Sequence, residues 1–363
     1  MMNLANIIPQ AAKTETIGGR EVAMVYTTLE EEYAALRQDC GFIDCSDFLA
    51  VRISGDGAAE YLDRLCTKDI QFLNIDMLAE CMMLNDEGDS LGIVWVMNVG
   101  DDYLLMTAAE SAADVLAWMQ AHVPEDVTIR EITDQALVAI EGRYSWRIMR
   151  DVLDVDVNGM PLRGIQEVKD FAGDTLLLAR IGRTGEYGYL AMGDPETIQR
   201  YVESCFSYVE NEGLKLQFVG REAIEICMLE TSQPDFRYEN RSKGSVFELG
   251  QQWLIQYEKE DYIGREKLME RFEAGQNRAA VLFIGDKDSG IADGDAVCLE
   301  DECVGSVVHA VYSPGNDKTI GIALLRRDLA VSGICLTAGK GATIEMISSP
   351  VIRPRSWDER IEE

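Results

Sequence analysis

The chain has 363 residues, enough for two or three domains at about 150 residues each. Its 64 acidic residues outnumber its 33 lysines and arginines and give a net charge of −31, which repels nucleic-acid phosphates and anionic lipid headgroups. Composition therefore argues against a nucleic-acid binder and a membrane-surface binder, and we expect neither kind of partner. The acidic excess indicates a solvated surface, with a high-salt cytoplasm or a basic protein partner as alternatives.

Three features of the sequence predict the cellular location of the protein and its capacity to bind metal. No run approaches the ~18 to 20 apolar residues of a bilayer-spanning helix, and the N-terminus lacks the basic start and apolar block of a secretory signal. Nine cysteines lie mostly in apolar stretches, which predicts reduced core thiols. Only His122 and His309 occur, too few for a His-rich metal shell. We expect a cytoplasmic protein without a metal site.

Apolar periodicity predicts mixed helices and strands in the first third of the chain. Apolar side chains recur at helical spacing over residues 29–37, 57–65 and 108–122, which predicts amphipathic helices. Between the last two, β-branched and aromatic runs flank the turn sequence NDEGDS and a second turn at 98–102. This pattern predicts a β-meander over residues 79–107.

The rest of the chain continues as mixed structure and then becomes all β. Strands are predicted at 126–133, 135–142 and 174–182, followed by a helix over 195–212. A polar, glycine-containing segment near Gly275 predicts a domain boundary. Beyond it, short strands at even spacing predict a small β-barrel or sandwich, and residues 353–363 lack an apolar pattern and predict a surface strap.

Two common phosphate-binding loops are missing from the sequence. No GxGxxG motif follows a strand and opens a helix, and no GxxxxGK[ST] motif occurs. These absences argue against nucleotide-dependent dehydrogenases and kinases.

The segment RIGRTGEYGY at residues 180–189 is the most distinctive motif. Further segments occur in order: CGFIDCSDFLAVRISGDG from residue 40, ALVAIEG from 136, FELGQQW from 247, YIGREKL from 262 and GSVVHAVYSPGNDKTIGIALL from 305. With them the chain resembles, over nearly its whole length, the folate-binding aminomethyltransferase family, which includes the glycine cleavage T-protein.

The resemblance implies an α+β fold and a cofactor. The expected architecture is a three-domain cloverleaf around a central channel that holds tetrahydrofolate, closed by a C-terminal β-barrel. The implied domains are residues 1–52 with 135–217, residues 53–134 with 218–274, and residues 275–363.

Glu186 is the leading candidate for cofactor binding. A pterin presents an N–H and an NH2 group side by side, and one carboxylate accepts both in a strong bidentate pair. The resemblance gives this role to the glutamate at position 186; the alternative is a turn carboxylate among glycines. Arg180 is a second cofactor-binding candidate, with a salt bridge that supports the loop as its alternative.

Arg221 and Trp253 complete the expected folate site. The resemblance implies that Arg221 opens a helix and faces the anionic glutamyl tail of folate; the alternative is a helical pair with Glu225. It also implies that Trp253 lines the channel and stacks on the folate rings, the alternative being an ordinary core tryptophan.

The most informative position is a mismatch with the family. T-proteins carry paired aspartates in the hairpin that corresponds to the one after the NDEGDS turn, and one of these aspartates assists methylene transfer at the folate nitrogen. In this chain, Gly92 and Ile93 occupy the two positions. Asp86, Glu87 and Asp89 lie in the turn, displaced from the strand positions that face the channel. Either the reaction differs, or another group has taken over.

The missing aspartate favours a tetrahydrofolate-dependent demethylase, which moves a methyl group from a methoxyl, sulfonium or quaternary amine donor. The altered segment 227–244 is in keeping with a changed donor, although a variable loop would also explain it. An aryl ether oxygen needs a proton donor, and Tyr26 and Tyr238 are the catalytic candidates, either of which is otherwise an ordinary half-buried tyrosine.

Two other functions remain open. One is a diverged T-protein that works with a lipoyl carrier, and the other is a non-catalytic folate-binding regulator. The expected partner is a small-molecule methyl donor, while a carrier or corrinoid protein stays possible.

Overall fold

A computed structural model describes residues 7–361 of the chain. The helices are α1 (Leu29–Gln38), α2 (Ala58–Leu65), α3 (Ala109–His122), α4 (Ser145–Leu153), α5 (Pro195–Glu212), α6 (Arg221–Glu230), α7 (Phe236–Glu239) and α8 (Arg265–Ala274). The strands before α5 are β1 (Lys13–Ile17), β2 (Arg20–Val25), β3 (Cys40–Asp44), β4 (Leu49–Ser54), β5 (Met77–Leu84), β6 (Ser90–Asn98), β7 (Tyr103–Thr107), β8 (Thr128–Glu131), β9 (Ala136–Glu141), β10 (Ile165–Lys169), β11 (Thr175–Ala179) and β12 (Gly188–Gly193). The later strands are β13 (Leu216–Phe218), β14 (Arg278–Asp286), β15 (Ala296–Leu299), β16 (Glu302–Ser313), β17 (Lys318–Arg326), β18 (Cys335–Ala338) and β19 (Ala342–Ile347).

The strands form two open sheets and one barrel. The first sheet has the order β10-β11-β12-β9-β3-β13 and the second the order β5-β6-β7-β4-β8. The β1–β2 hairpin forms a separate two-stranded sheet, and β14-β17-β16-β15-β18-β19 close into a barrel. The expected α+β class and C-terminal β-barrel are confirmed.

The helix ends follow local chemistry. Thr28 caps α1 by accepting a hydrogen bond from the Glu31 amide, and three glutamates occupy its first turn, where they stabilise the helix dipole. Asp194 caps α5, Pro195 occupies its first turn, and Gly213 ends it at a positive φ of 68°. These signals explain why the sequence predicted both helices closely.

The principal core lies between the two open sheets. Buried side chains from both sheets and from α1 and α6 form one cluster, which includes Ile43, Leu104, Leu190 and Ile224. Apolar side chains from several elements meet here because each sheet buries one face. The candidate site described below lies within this interface.

Two of the four expected domain divisions fall inside strands. The division at residue 52 falls inside β4, which lies wholly in the second sheet, and that at 217 falls inside β13, which pairs with β3 of the first. The divisions at 134 and 274 fall between elements. Within residues 7–361, no helix has the length and apolar character to cross a bilayer.

Candidate functional site

A cavity lies between the inner face of the second sheet, the start of α3, the loop before β12 and the α6–α7 segment. Its accessible volume is about 60 Å³, which is room for a few water molecules. We call it the central cavity; its walls include Ile93, Trp95, Glu110, Arg183, Arg221 and Met228. Cavities of this kind, with apolar walls and a few polar groups, are typical of small-molecule sites.

Strand β6 decides what the second sheet presents to the cavity. Ile93 and Trp95 lie two residues apart on one face and both line it, as the strand period requires. Gly92 faces α3, where an added Cβ would lie 2.5 Å from the Ser111 Cβ. Of the two positions that resemble the family's aspartates, one therefore faces the cavity as isoleucine and the other has no room for a side chain.

Glu110 supplies a carboxylate at the start of α3. One oxygen, Oε1, accepts a hydrogen bond from Arg221 Nη2 at 2.9 Å, while the buried Oε2 has no donor within residues 7–361. The side chain is only 10 % exposed. Burial opposes its ionisation, but the Arg221 and Arg183 guanidiniums outweigh that effect and hold the pKa of Glu110 below its usual range.

Arg221 begins α6, as the resemblance implied, and it is surrounded by acids. It pairs with Glu225 at 2.9 Å, with Glu110 at 2.9 Å and with Asp235 at 3.2 Å, and it is almost fully buried. The helical pair with Glu225 is therefore present. These three carboxylates occupy Nε and Nη2 and neutralise the guanidinium, which weakens its attraction for a glutamyl tail; Nη1 has no acceptor among residues 7–361.

Arg183 is the other arginine of the central cavity, and sequence reasoning missed it. Glu141 Oε2 accepts hydrogen bonds from the Arg183 and Thr184 amides, each at 2.9 Å, and so fixes the loop. The Arg183 guanidinium lies 5.0 Å from the centre of the Phe48 ring. It makes no hydrogen bond or ion pair with any residue in the described part of the chain.

Glu186 lies outside the central cavity with its carboxylate occupied. Oε1 accepts from Arg37 Nη1 at 3.1 Å and from the Arg355 amide at 3.2 Å. Oε2 accepts from the Ser356 amide at 2.9 Å and from Ser356 Oγ at 2.6 Å. In this arrangement the residues do not fit a pterin at Glu186, because no acceptor site is left. A folate role for Glu186 requires the strap at residues 353–361 to withdraw.

Arg180 and Trp253 do not join the central cavity either. Arg180 Nη1 donates to the backbone carbonyls of Val157 and Met160 and so holds the 157–160 segment against its own loop. It forms no salt bridge with any residue from 7 to 361. Trp253 is 41 % exposed, and Lys68 Nζ lies 5.6 Å from its ring centre. The expected stacking of Trp253 on folate is not supported by this position.

The two candidate tyrosines lie apart from each other and from the cavity walls. Tyr26 is buried in the core of the first sheet beside Phe218, and burial raises the pKa of its hydroxyl far above the usual value. Tyr238 donates to Glu225 Oε2 at 2.8 Å and stacks on His309. Burial, reinforced by Glu225, raises its pKa as well. Neither hydroxyl is placed to protonate a group in the cavity.

Asp47 is a buried carboxylate beside the cavity wall at Phe48. It is 8 % exposed and has no hydrogen-bond partner from residue 7 to residue 361. Burial raises its pKa to about 6, although the nearby Arg221 and Arg183 charges oppose the rise. This carboxyl therefore titrates in a mildly acidic range.

A wider cleft meets the central cavity at Phe236, which lines both. Its arginines are neutralised: Arg271 pairs with Asp89 and Arg278 pairs with Glu248. The central cavity is the better candidate site, because among residues 7–361 a buried carboxylate oxygen without a donor and an arginine without an ion pair line the same space there.

Comparisons with known proteins agree with this architecture. A family model described as the GCVT N-terminal domain matches residues 6–259. An aminomethyltransferase of Geobacillus thermodenitrificans is 27% identical over 326 residues, covering 89% of this chain and 88% of the relative. One of Listeria monocytogenes is 28% identical over 321 residues, with 86% of each chain covered. The crystal structure of glycine cleavage system aminomethyltransferase T from Bartonella henselae matches with a TM-score of 0.83, 18% identity and 95% coverage of both chains, which shows a shared fold.

Proposed function

We infer that this chain, which belongs to the aminomethyltransferase family defined by the GCVT N-terminal domain, transfers a one-carbon unit from a nitrogen atom of a small donor to tetrahydrofolate. The family uses tetrahydrofolate. The observation that carries the proposal is the extent of the family match: residues 6–259 include all the central-cavity residues named above. When bound, tetrahydrofolate supplies the nitrogen acceptor for the one-carbon unit.

Transfer from an amine is favoured over transfer from an ether oxygen. The curated relatives are named aminomethyltransferases, and an aminomethyl group carries its carbon on nitrogen. An oxygen donor needs a proton donor, and neither Tyr26 nor Tyr238 lines the cavity. Of the three expected donor classes, we therefore set aside the methoxyl donor and propose transfer from nitrogen.

A demethylase acting on a cationic donor is the second candidate, and Ile93 is the observation that favours it. T-protein chemistry is expected to need a carboxylate there, and an isoleucine supplies none. A methyl group that leaves a cationic nitrogen or sulfur leaves its bonding electrons on that atom, which departs uncharged. Such a departure needs no protein acid, so Ile93 is compatible with it.

The residues of the chain have three tasks in this proposal. Glu110 stabilises positive charge on the donor nitrogen, and Arg183 attracts an anionic group. The Trp95 and Phe48 rings exclude water, which strengthens both electrostatic interactions. The partner is thus a small donor molecule; a lipoyl carrier or corrinoid protein is the alternative, and we place the reaction in the cytoplasm.

A thermal-shift screen tests the proposal. Tetrahydrofolate at 100 times its Kd should stabilise the protein by about 2.7 kcal/mol, and amine donors should add a further shift. Methoxyl donors should add none. No shift with tetrahydrofolate would contradict the proposal, and a shift with methoxyl donors alone would contradict its nitrogen chemistry.

A further inference from the structure

Glu110 and Arg183 both line the central cavity with unused hydrogen-bonding capacity, and they carry opposite charges. Glu110 Oε2 is a buried anionic acceptor with no donor among residues 7–361. Native proteins rarely leave such an atom unsatisfied, because it loses its hydration and gains nothing in return. Glu110 therefore indicates a ligand that brings an N–H donor, and its negative charge favours a cationic one.

The Arg183 guanidinium indicates the opposite partner. Within the described residues, it makes no hydrogen bond or ion pair; it lies over the Phe48 ring, and its charge also acts on Glu110 and Asp47. Arg221 in the same cavity shows the contrasting case, since three ion-paired carboxylates neutralise its charge. A guanidinium pairs best with a planar anion such as a carboxylate, to which it donates two parallel hydrogen bonds.

We propose that the central cavity binds a zwitterionic amine, a small molecule with a protonated, N-methylated amino group at Glu110 and a carboxylate at Arg183. The remaining walls are apolar side chains such as Trp95, Met106 and Met228, which suit a short carbon chain. The ligand's role as a one-carbon donor rests on the proposed function. Its binding does not, since recognition depends only on these side chains.

The matched charges favour this ligand over a carrier-bound or a purely cationic one. An aminomethyl group on a lipoyl arm brings a cation but no carboxylate, and it would leave Arg183 without an anion. A quaternary ammonium has no N–H for Glu110 Oε2. A protonated N-methyl amino acid satisfies both groups at once.

The test is calorimetry on the full chain with three N-methyl amino acids that differ in length: N-methylglycine, N-methyl-β-alanine and N-methyl-γ-aminobutyrate. Each is compared with its methyl ester, which lacks the anion, and with its N-acyl analogue, which lacks the cation. At least one acid should bind 10-fold to 100-fold more tightly than both analogues. Failure of all three acids to bind, or equal binding of an analogue, would overturn the proposal.

Variants assign each charge to its residue. Glu110→Gln should remove the preference for the acid over the N-acyl analogue, and Arg183→Met should remove the preference over the ester. Glu270→Gln and Arg326→Met, which change exposed side chains, are the matched controls and should bind like the wild type. Circular dichroism confirms folding, and the wild-type ligand series keeps the test decisive if a variant unfolds.

A parallel titration with tetrahydrofolate separates this proposal from the proposed function. If tetrahydrofolate binds and no zwitterion does, only the present inference fails. If Glu110→Gln weakens tetrahydrofolate but not the amino acid, Glu110 serves the folate and the inference is overturned. If the zwitterion binds and tetrahydrofolate does not, the inference stands and the proposed function fails.

Discussion

Ser356 donates two hydrogen bonds to Glu186, from its amide at 2.9 Å and from its Oγ at 2.6 Å, and both reach Oε2. Glu186 is the residue that the family resemblance assigns to the pterin. The C-terminal strap therefore occupies the acceptor that a folate would use. An ion pair between Arg143 and Glu359 holds the strap further along.

Ser356→Ala should tighten tetrahydrofolate binding. The hydroxyl bond to a buried carboxylate stabilises the closed strap by about 1.5 to 3 kcal/mol, so losing it should raise folate affinity by roughly 10-fold to 100-fold. Calorimetry with tetrahydrofolate measures the change, with the exposed Ser207→Ala on α5 as control. Weaker binding in Ser356→Ala would mean that the strap helps folate to bind.

Glu186→Gln, made in the Ser356→Ala background where the strap is already loosened, should move folate affinity in the opposite direction. The amide replaces one acceptor with a donor and loses the charge, which should cost about 1.5 to 3 kcal/mol of tetrahydrofolate binding. The fold should survive, because Arg37 keeps its pair with Glu230 at 2.7 Å. Unchanged affinity by calorimetry would remove Glu186 from the folate site.

Ile93→Asp tests the missing carboxylate. The wild type should not produce methylenetetrahydrofolate and ammonia from an aminomethyl-lipoyl carrier at a T-protein-like rate, whereas Ile93→Asp should gain some of this activity. The control, Gly92→Asp, should be destabilised because its Cβ would collide with Ser111. Efficient transfer by the wild type would show that another group already replaces the aspartate.

Asp47→Asn should change how stability depends on pH. The folded-state pKa of Asp47 is raised from 3.8 to about 6 by burial, so the folded protein binds this proton more tightly than the unfolded chain. Asp47 therefore lowers the free energy of unfolding as pH rises from about 4 to about 6. The variant should gain up to about 3 kcal/mol over the wild type across this range. Urea unfolding at several pH values measures the difference; a constant difference would contradict the account.

Local signals predicted much of the fold. The helix over 195–212 and the meander over 79–107 were predicted because caps, turns and periodicity lie within short segments. Helix α4 and the β1–β2 hairpin were not predicted; Ser145–Leu153 has no side-chain N-cap, and the hairpin forms a separate two-stranded sheet.

The site was harder to predict because its pairs form across the fold. The family alignment identified Gly92 and Ile93 together, and the structure shows that Ile93 is the one that faces the cavity. Glu110 and Arg183 have unused hydrogen-bonding capacity because no distant side chain reaches them. No sequence pattern predicts such a missing contact. Ser356 lies 170 residues from Glu186 in the chain, so its contact was equally invisible.

The most direct test of the central claim is mass spectrometry of tetrahydrofolate after incubation with the protein and isotopically labelled donors. The donors carry the labelled carbon on nitrogen, on oxygen or on sulfur. We predict labelled one-carbon tetrahydrofolate with a nitrogen donor and none with a methoxyl donor. Unmodified tetrahydrofolate with every donor, or label transferred only from oxygen, would contradict the account.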